Sequence, residues 1–268
     1  MKITAKEIYE SLEAIHRESP VVHNITNYVV MNITANALLA VGASPVMAHA
    51  EEEVTEMVNL ASSLVINIGT LSEHWIKAMF LAATQAAKQG IPCILDPVGA
   101  GATAYRTRTA RELINRQPPT IIRGNASEIM ALYDDQTKTK GVDSAASSDD
   151  AISMARILSE TYQCVVCVSG VVDYIVEGEK ILKIENGHPL MSRVTGLGCT
   201  ASALCGAFAA VEKNPFAAVA FAMAVMGIAG EMAAAVSAGP GSFQVHFLDH
   251  LHALSQQQIS ERLKTGIE

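Results

Sequence analysis

The chain has 268 residues, of which 50% are hydrophobic, and its formal net charge is -8. This length and apolar content suffice for a sizeable core, and we expect one domain over residues 1–268 because α/β folds reach this length as single units. The negative charge argues against nucleic acid or an anionic membrane as a partner, because both are bound through basic patches. A phosphate-bearing ligand stays open, since it needs only local hydrogen-bond donors.

Three features predict a cytoplasmic protein. The five cysteines are odd in number and scattered, unlike a disulfide framework. Residues 1–10 are charged and lack the apolar core of a signal sequence. The longest apolar run, residues 216–230, is shorter than the ~20 residues of a membrane span and ends at Glu231, which favours a buried helix.

Helical and strand-like segments alternate along the chain. Residues 3–18 have the apolar spacing of a helix, and residues 23–27 predict a polar turn before a second helix that ends at Gly42. Short apolar runs typical of strands occupy residues 44–48, 64–68, 93–95, 121–122 and 165–168. Helix-length segments, such as residues 72–89 and 151–162, lie between them. This alternation predicts an α/β fold with a mostly parallel sheet.

Three further segments complete the predicted elements. Residues 134–148 are polar without periodicity and predict an exposed loop. Residues 172–184 predict a hairpin that adds an antiparallel pair of strands. Residues 243–263 predict a helical segment whose apolar face includes Phe247 and Leu251.

Polar residues follow four of the predicted strands directly, in residues 67–70, 96–101, 123–125 and 169–170. The carboxyl ends of parallel strands meet at one edge of a sheet, where ligands bind, so we expect these loops on one rim. Asp96 could orient a metal ion or phosphate through water, although a strand-end aspartate forms a simple turn as often. Arg123 is poorly placed for bulk solvent and well placed to hold a phosphate.

Asn125 and Glu128 lie three residues apart at the start of a predicted helix. Their side chains could hold a hydrated Mg²⁺ at the rim. The same pattern is very nearly a capping box, and taken without context it is more often that.

The glycine-punctuated turn at residues 196–199 opens a long Ala-rich helix. Gly196 and Gly198 allow close approach of a ligand, and the first amides of the helix would form an anion site. Cys199 lies in the first helical turn, where we expect the helix field to lower its thiol pKa. An ordinary strand-to-helix turn with a buried cysteine fits the same residues.

Other motifs carry less weight. Cys164 and Cys167 lie in an apolar strand and point to opposite faces, which favours core packing over a redox pair. The histidines at 246, 250 and 252 lack further metal ligands nearby in the sequence. The chain has no Walker motif and no G-x-G-x-x-G near its N-terminus, which argues against a P-loop enzyme or a Rossmann dehydrogenase.

Several stretches together resemble the hydroxyethylthiazole kinases, in order from about residue 20 to 245. They are residues 23–27, 42–47, 67–71, 95–101, 123–128, 195–199 and 239–243. The resemblance implies a ribokinase-like α/β fold with a central, mostly parallel sheet flanked by helices on both faces. It also implies Mg²⁺-dependent phosphorylation of 4-methyl-5-(2-hydroxyethyl)thiazole by ATP, in thiamine biosynthesis or salvage.

Matched by motif, the resemblance also implies residue roles. Arg123, Ser169 and Gly198 would contact ATP, although family members commonly have threonine where this chain has Ser169. Asp96 and Glu128 would serve Mg²⁺, and Asn27, Met47 and Gly196 would hold the thiazole. Cys199 would be the catalytic residue, in the place where the wider superfamily usually has an aspartate base.

The resemblance further implies a homotrimer with the thiazole pocket near the subunit boundary. Other activities on the same fold remain alternatives, namely a kinase of the hydroxymethylpyrimidine or pyridoxal type or an ATP-dependent hydrate dehydratase. A non-catalytic small-molecule sensor is a further alternative. The joint presence of Arg123, Glu128 and Cys199 argues against a sensor, because a pure binder needs no metal and base arrangement.

Overall fold

A computed structural model describes residues 3–133 and 148–267, and these form an α/β structure around one sheet of nine strands. The strands are β1 (Val21–Ile25), β2 (Ser44–Val46), β3 (Ser63–Asn67), β4 (Cys93–Asp96), β5 (Ile121–Asn125), β6 (Val165–Ser169), β7 (Asp173–Glu177), β8 (Lys180–Ile184) and β9 (Thr265–Ile267). Their order across the sheet is β2-β1-β3-β4-β5-β6-β7-β8-β9.

The first six strands pair in parallel, and the last three pair antiparallel to their neighbours. The register brings strand ends together: Asn67 is the partner of Asp96, and Asn125 is the partner of Ser169. The predicted parallel sheet, its hairpin and the shared rim of polar loops are therefore confirmed.

The helices cover both faces of the sheet. They are α1 (Ala5–Glu18), α2 (Met31–Ala40), α3 (Val54–Leu60), α4 (Glu73–Gln89), α5 (Ala104–Arg116), α6 (Ala126–Leu132), α7 (Ser148–Tyr162), α8 (Leu197–Val211), α9 (Pro215–Val236), α10 (Pro240–Ala253) and α11 (Gln256–Arg262). One layer contains α1, α2 and α8 to α11, and the other contains α3 to α7. Strand residues alternate between the two cores, so Val65 faces the first layer while Leu64 and Ile66 face the second.

The same alternation shows whether Cys164 and Cys167 form a redox pair or pack in the core. Cys167 packs in the core beneath α8 and α9, whereas Cys164 packs in the core beneath the other layer. Both thiols are free and buried. The prediction of core packing is confirmed.

Helix α9 is, among the residues described, the one helix whose length and apolar composition would suffice to cross a membrane. Its most apolar window is 78% buried inside the protein. A helix covered by its own fold in this way is a core helix, as the sequence predicts.

Two sequence predictions are wrong. Residues 23–27 form no simple polar turn, because strand β1 continues to Ile25. Its polar side chains are buried but find backbone partners, with His23 Nε2 donating to Ala48 O at 2.7 Å and Asn24 Nδ2 donating to Val22 O at 2.9 Å. Polarity therefore misleads where backbone carbonyls supply the hydrogen-bond partners.

The C-terminal segment is not one helical stretch. It divides into α10 and α11, because Ser255 and Gln258 form a capping box that starts a new helix. Phe247 and Leu251 are buried as expected. Strand β9 follows and pairs with β8, which no pattern in the sequence predicts. The predicted loop over residues 134–148 lies outside the described residues, except that Ser148 begins α7.

Candidate active site

A hydrogen-bonded chain of side chains joins three neighbouring strands and α8 at the carboxyl edge of the sheet. Asn27 Nδ2 donates to Asn67 Oδ1 at 2.9 Å, and Asn67 Nδ2 donates to Asp96 Oδ2 at 2.8 Å. Ser202 Oγ donates to the same Asp96 oxygen at 2.8 Å. Buried polar groups must be paired in this way, so the chain fixes the orientation of each side chain.

Asp96 is the most constrained charge of the site. Its carboxyl is buried, and its Oδ1 has no hydrogen-bond partner. Burial raises the pKa of Asp96 to about 6, although the Arg123 charge and the Ser202 hydrogen bond act in the opposite direction. An unpartnered oxygen on a buried carboxyl is costly for the fold alone and is suited to a cation or a polar ligand atom.

Cys199 joins this hydrogen-bonded network at Asn27, whose Nδ2 donates to Cys199 Sγ at 3.5 Å. The expectation that the helix field lowers its thiol pKa is wrong. Burial raises the pKa of Cys199 to about 11, and the nearby Asp96 charge adds to the rise. Desolvation of a thiolate therefore outweighs the helix field here, and the thiol is protonated near neutral pH.

The turn before α8 depends on Gly196. Its φ of +87° lies in the left-handed region, and an added Cβ would come within 2.9 Å of Val30 and Ile33 side chains from α2 and its cap. Helix α8 starts at Leu197 without any side-chain cap. The backbone bonds of the helix begin with Thr200 N donating to Gly196 O at 2.8 Å, so Thr200 is not one of the free donors, and the amides before it remain available to an anion.

Arg123 spans the gap between this helix and β6. Its Nη1 donates to Gly198 O at 3.0 Å and its Nη2 donates to Ser169 Oγ at 2.6 Å. Its buried Nε has no partner. The structure thus brings together Arg123, Ser169 and Gly198, three residues that are far apart in the sequence.

Glu128 forms the capping box that the sequence suggested. Its Oε2 accepts from Asn125 N at 2.9 Å, while Asn125 Oδ1 accepts from Glu128 N at 2.9 Å. Its other oxygen accepts from Gly99 N at 2.9 Å, which ties α6 to the loop after Asp96. The predicted helix cap is confirmed. The same carboxylate also lies beside the loop that follows Asp96.

Met47 lies further along the rim. It is half-buried and follows the edge strand β2, next to β1. The Met47 carbonyl accepts from His49 Nδ1 at 3.1 Å. It therefore belongs to the same edge of the sheet as Asn27, but on the outermost strand.

Several residues of this region were not singled out as site residues from the sequence. Asn67 bonds to both Asn27 and Asp96, and its sequence signals were its position at the end of a strand and its place in the stretch 67–71. Ser202 shares a face of α8 with Cys199 because it follows three residues later. Arg106 on α5 donates to the carbonyls of Ile68, Val98 and Gly69 at 3.1, 2.7 and 2.7 Å. No local pattern identifies Arg106, since its partners lie on two other loops.

A cavity of about 690 Å³ opens beside this region. Arg123, Ser169 and Gly198 line it. Asn186, Met223 and Gly227 also line it. A cavity that combines anion donors with apolar side chains suits a ligand that has a phosphate group and a flat apolar ring.

The fold is shared with solved proteins of one structural class. A ribokinase-like superfamily protein from Enterococcus faecalis V583 aligns with a TM-score of 0.62 at 15% identity, covering 88% of this chain and 87% of that chain. The pyridoxal kinase from Staphylococcus aureus in complex with ADP aligns with a TM-score of 0.62 at 14% identity, covering 79% and 87%. At these identities the likeness shows the fold alone, and this chain has the ribokinase-like fold.

Closer relatives narrow the class to one family. The family model for "HK: Hydroxyethylthiazole kinase family" matches residues 12–257. The hydroxyethylthiazole kinase of Syntrophus aciditrophicus is 61% identical over 98% of both chains, and that of Leptospira biflexa is 57% identical over 96% of this chain and 97% of the relative. The solved hydroxyethylthiazole kinase from Pyrococcus horikoshii aligns with a TM-score of 0.91 at 43% identity, covering 98% of this chain and 99% of that chain. The chain belongs to the hydroxyethylthiazole kinase family, and it is an enzyme that transfers a phosphoryl group.

Proposed function

We propose that this enzyme transfers the γ-phosphoryl group of ATP to the hydroxyethyl arm of 4-methyl-5-(2-hydroxyethyl)thiazole, in thiamine (vitamin B1) biosynthesis or salvage. Family membership gives the substrate class. The observation that carries the proposal in this chain is that Arg123 and the open N-terminus of α8 line the cavity, with Cys199 in the first turn of the same helix. In an in-line phosphoryl transfer, the groups that bind the phosphates must lie close to the site that binds the attacking alcohol.

The ATP phosphates would lie between Arg123, Ser169 and Gly198. A guanidinium has five N–H donors, and Arg123 uses only part of them on Ser169 and Gly198. The remaining donors and the first amides of α8 would bind phosphate oxygens as negative charge develops during transfer. The nucleoside would occupy the cavity beyond them.

Asp96 and Glu128 fit a hydrated Mg²⁺. The unpartnered, buried Oδ1 of Asp96 is a ready oxygen ligand. The described residues contain no group of three or more metal-ligating side chains, and Mg²⁺ in kinases needs few protein ligands because phosphate and water complete its shell. The ion would neutralise charge on the phosphate oxygens. Glu128 would act from the loop side, since each of its oxygens accepts one N–H and retains a free lone pair.

The thiazole would lie against Asn27, Met47 and Gly196, with its alcohol beside Cys199. Cys199 would touch the alcohol as the catalytic residue. Because its thiol is protonated near neutral pH, it would orient the hydroxyl by hydrogen bonding. The hydroxyl proton would pass late in the transfer to an oxygen of the transferred phosphoryl group. Positioning would then supply most of the rate enhancement.

We also propose a homotrimer in the cytoplasm, with the thiazole site near the subunit boundary. Tyr28 and Val29, directly after Asn27, are 64% and 65% exposed, which suits a covered surface in an assembly. The five free cysteines suit a reducing compartment. Size-exclusion chromatography with light scattering tests the assembly, and a monomeric mass would contradict it.

A kinase of the hydroxymethylpyrimidine or pyridoxal type is not favoured. Solved pyridoxal kinases share only the fold with this chain, at identities of 14–16%. The decisive experiment incubates the protein with Mg²⁺, ATP and equal concentrations of hydroxyethylthiazole, hydroxymethylpyrimidine and pyridoxal, followed by mass spectrometry. We expect phosphorylated thiazole as the main product, and the Arg123→Ala variant serves as the control for contaminating kinases. Absence of phosphothiazole at high enzyme concentration would reject the proposal.

A further inference from the structure

Helix α9 contains a single charged residue, Glu231, in 22 otherwise uncharged residues. Its side chain is 15% exposed and lies on the helix face that packs against the segment after β8. A carboxylate in an apolar helix is costly unless its partners are specific. The site described above does not use it.

Glu231 Oε1 accepts three hydrogen bonds at one point. The donors are Gly187 N at 3.0 Å, Asn186 Nδ2 at 3.1 Å and Lys264 Nζ at 2.9 Å. Asn186 and Gly187 both line the cavity proposed for the nucleotide. The Glu231 carboxylate therefore supports the cavity wall through its hydrogen bonds to Asn186 and Gly187.

The packing around Glu231 is equally specific. A Cβ at Gly227, one turn earlier on α9, would lie 2.5 Å from Asn186 O, so the helix backbone presses directly against this wall. The buried Asn186 carboxamide also donates to Arg262 O at 2.8 Å and accepts from Lys264 N at 2.8 Å. Three parts of the fold thus meet at the Asn186 carboxamide and the Glu231 carboxylate. They are helix α9, the cavity wall and the C-terminal segment that precedes β9.

We propose that Glu231 is a positioning residue for the nucleotide. By binding Gly187 N and Asn186 Nδ2, it fixes the cavity wall at residues 186–187 in the form that receives the nucleoside. This inference rests on the proposed binding of ATP in the cavity. Glu231 lies on the far side of that wall from the reacting atoms, so it should affect nucleotide affinity and leave the thiazole side unchanged.

The test measures the Kd of β,γ-methylene-ATP by calorimetry in the absence of thiazole, together with the KM of both substrates. In Glu231→Ala we expect the Kd and the KM for ATP to rise about tenfold or more, because two hydrogen bonds to a charged acceptor are lost. The KM for thiazole should stay at the wild-type value. Glu231→Gln keeps an acceptor oxygen and should restore most of the affinity.

Lys264→Met is the matched control, since it removes the exposed partner of Glu231 and leaves the cavity contacts in place. Its Kd should stay within about twofold of wild type, as expected for a half-exposed ion pair. Glu231→Asp keeps the charge but shortens the side chain by one methylene, so it tests the same contacts if the alanine variant does not fold. Wild-type Kd in a folded Ala or Asp variant would overturn the inference, as would equal losses for both substrates. Failure of wild type to bind the analogue would instead reject the proposed ATP site.

Discussion

At the scale of single residues, the thiol of Cys199 shows how burial decides chemistry. The helix field favours a thiolate, but desolvation dominates and raises the pKa of Cys199 to about 11. Asn27 holds the sulfur in place at 3.5 Å. The resting enzyme therefore presents an oriented thiol at the rim, without an ionised base.

We expect Cys199→Ala to lower kcat by about 10²-fold, because the substrate hydroxyl loses the group that orients it. Cys199→Asp should keep most of the activity, because a carboxyl group has a much lower intrinsic pKa than a thiol and can accept the hydroxyl proton as a carboxylate. Steady-state kcat with thiazole and saturating ATP checks both changes. A fully active alanine variant beside an inactive aspartate variant would show that Cys199 only packs against the substrate.

Glu128 combines a cap with a position next to the proposed metal site. Glu128→Gln replaces one acceptor oxygen by an NH₂ group that faces a backbone N–H, either of Gly99 or of Asn125. We expect unfolding free energy to fall by about 1–3 kcal/mol for the broken contact. The Mg²⁺ concentration for half-maximal activity should also rise if the carboxylate serves the ion.

The matched control is Glu7→Gln, which alters the capping box of α1 at Thr4, on a helix that contributes no proposed site residue. It should lower stability without any change in Mg²⁺ dependence. Calorimetric unfolding and an Mg²⁺ titration of activity separate the two effects. An unchanged Mg²⁺ requirement in Glu128→Gln would leave Glu128 with a capping role only.

At the scale of elements, the loops after β3 and β4 are joined by one side chain from α5. Arg106 donates to three carbonyls on these loops, those of Ile68, Gly69 and Val98. Gly69 in turn packs so closely on Asn27 that an added Cβ would lie 2.6 Å from its carboxamide nitrogen. The guanidinium therefore sets the spacing between the proposed thiazole site and the loop after Asp96.

We expect Arg106→Ala to lower kcat by about tenfold or more, because a small displacement of positioned groups is expensive in phosphoryl transfer. Added guanidinium ion should partly restore the activity. Arg106→Lys should rescue poorly, since an ammonium group cannot present the fixed fork that reaches three carbonyls.

Arg108→Ala on the same helix is the control for Arg106→Ala. Its guanidinium is exposed and lies over the Tyr105 ring, 5.9 Å from the centroid. We expect wild-type kcat from it. Equal kinetics of the Arg106 and Arg108 variants would show that the two loops hold their spacing without Arg106.

At the scale of the whole molecule, the buried Asp96 carboxylate that the proposed function needs lowers the stability of the fold. Burial raises its pKa from 3.8 to about 6, so the folded state disfavours the carboxylate. The folded protein then binds more protons than the unfolded chain between about pH 4 and 6. Stability from this group is complete below pH 4 and is lost as the pH rises through 6.

Asp96→Asn should therefore stabilise the protein at pH 7.5 while abolishing activity. The full cost of the ionised group corresponds to about 3 kcal/mol, and we expect a gain on the order of 1–3 kcal/mol. The difference should vanish near pH 4, where both side chains are neutral. Melting temperatures of the two proteins from pH 4 to 8 check this prediction, and a pH-independent difference would contradict it. Asp173, whose pKa burial also raises to about 6, is common to both proteins and cancels.

Much of the architecture could be predicted from local patterns. Short apolar runs marked β2 to β6, and Gly90, which has a φ of +69°, ended α4 where the sequence placed its end. The capping box at Asn125 and Glu128 was equally visible, because its partners are three residues apart. Strand-end polar residues were expected on one rim since parallel strands end at one edge.

The sequence by itself thus determined the α/β alternation, the shared rim and the motifs that mark the family. Only the tertiary structure decided that Cys199 is a protonated thiol, that Asn27 and Cys199 are in contact across 172 residues of chain, and that Glu231 supports the cavity wall. The physical reason is the distance along the sequence over which each interaction acts. Periodicity and capping act over a few residues, whereas desolvation and hydrogen-bonded networks depend on which distant segments the sheet brings to the same place.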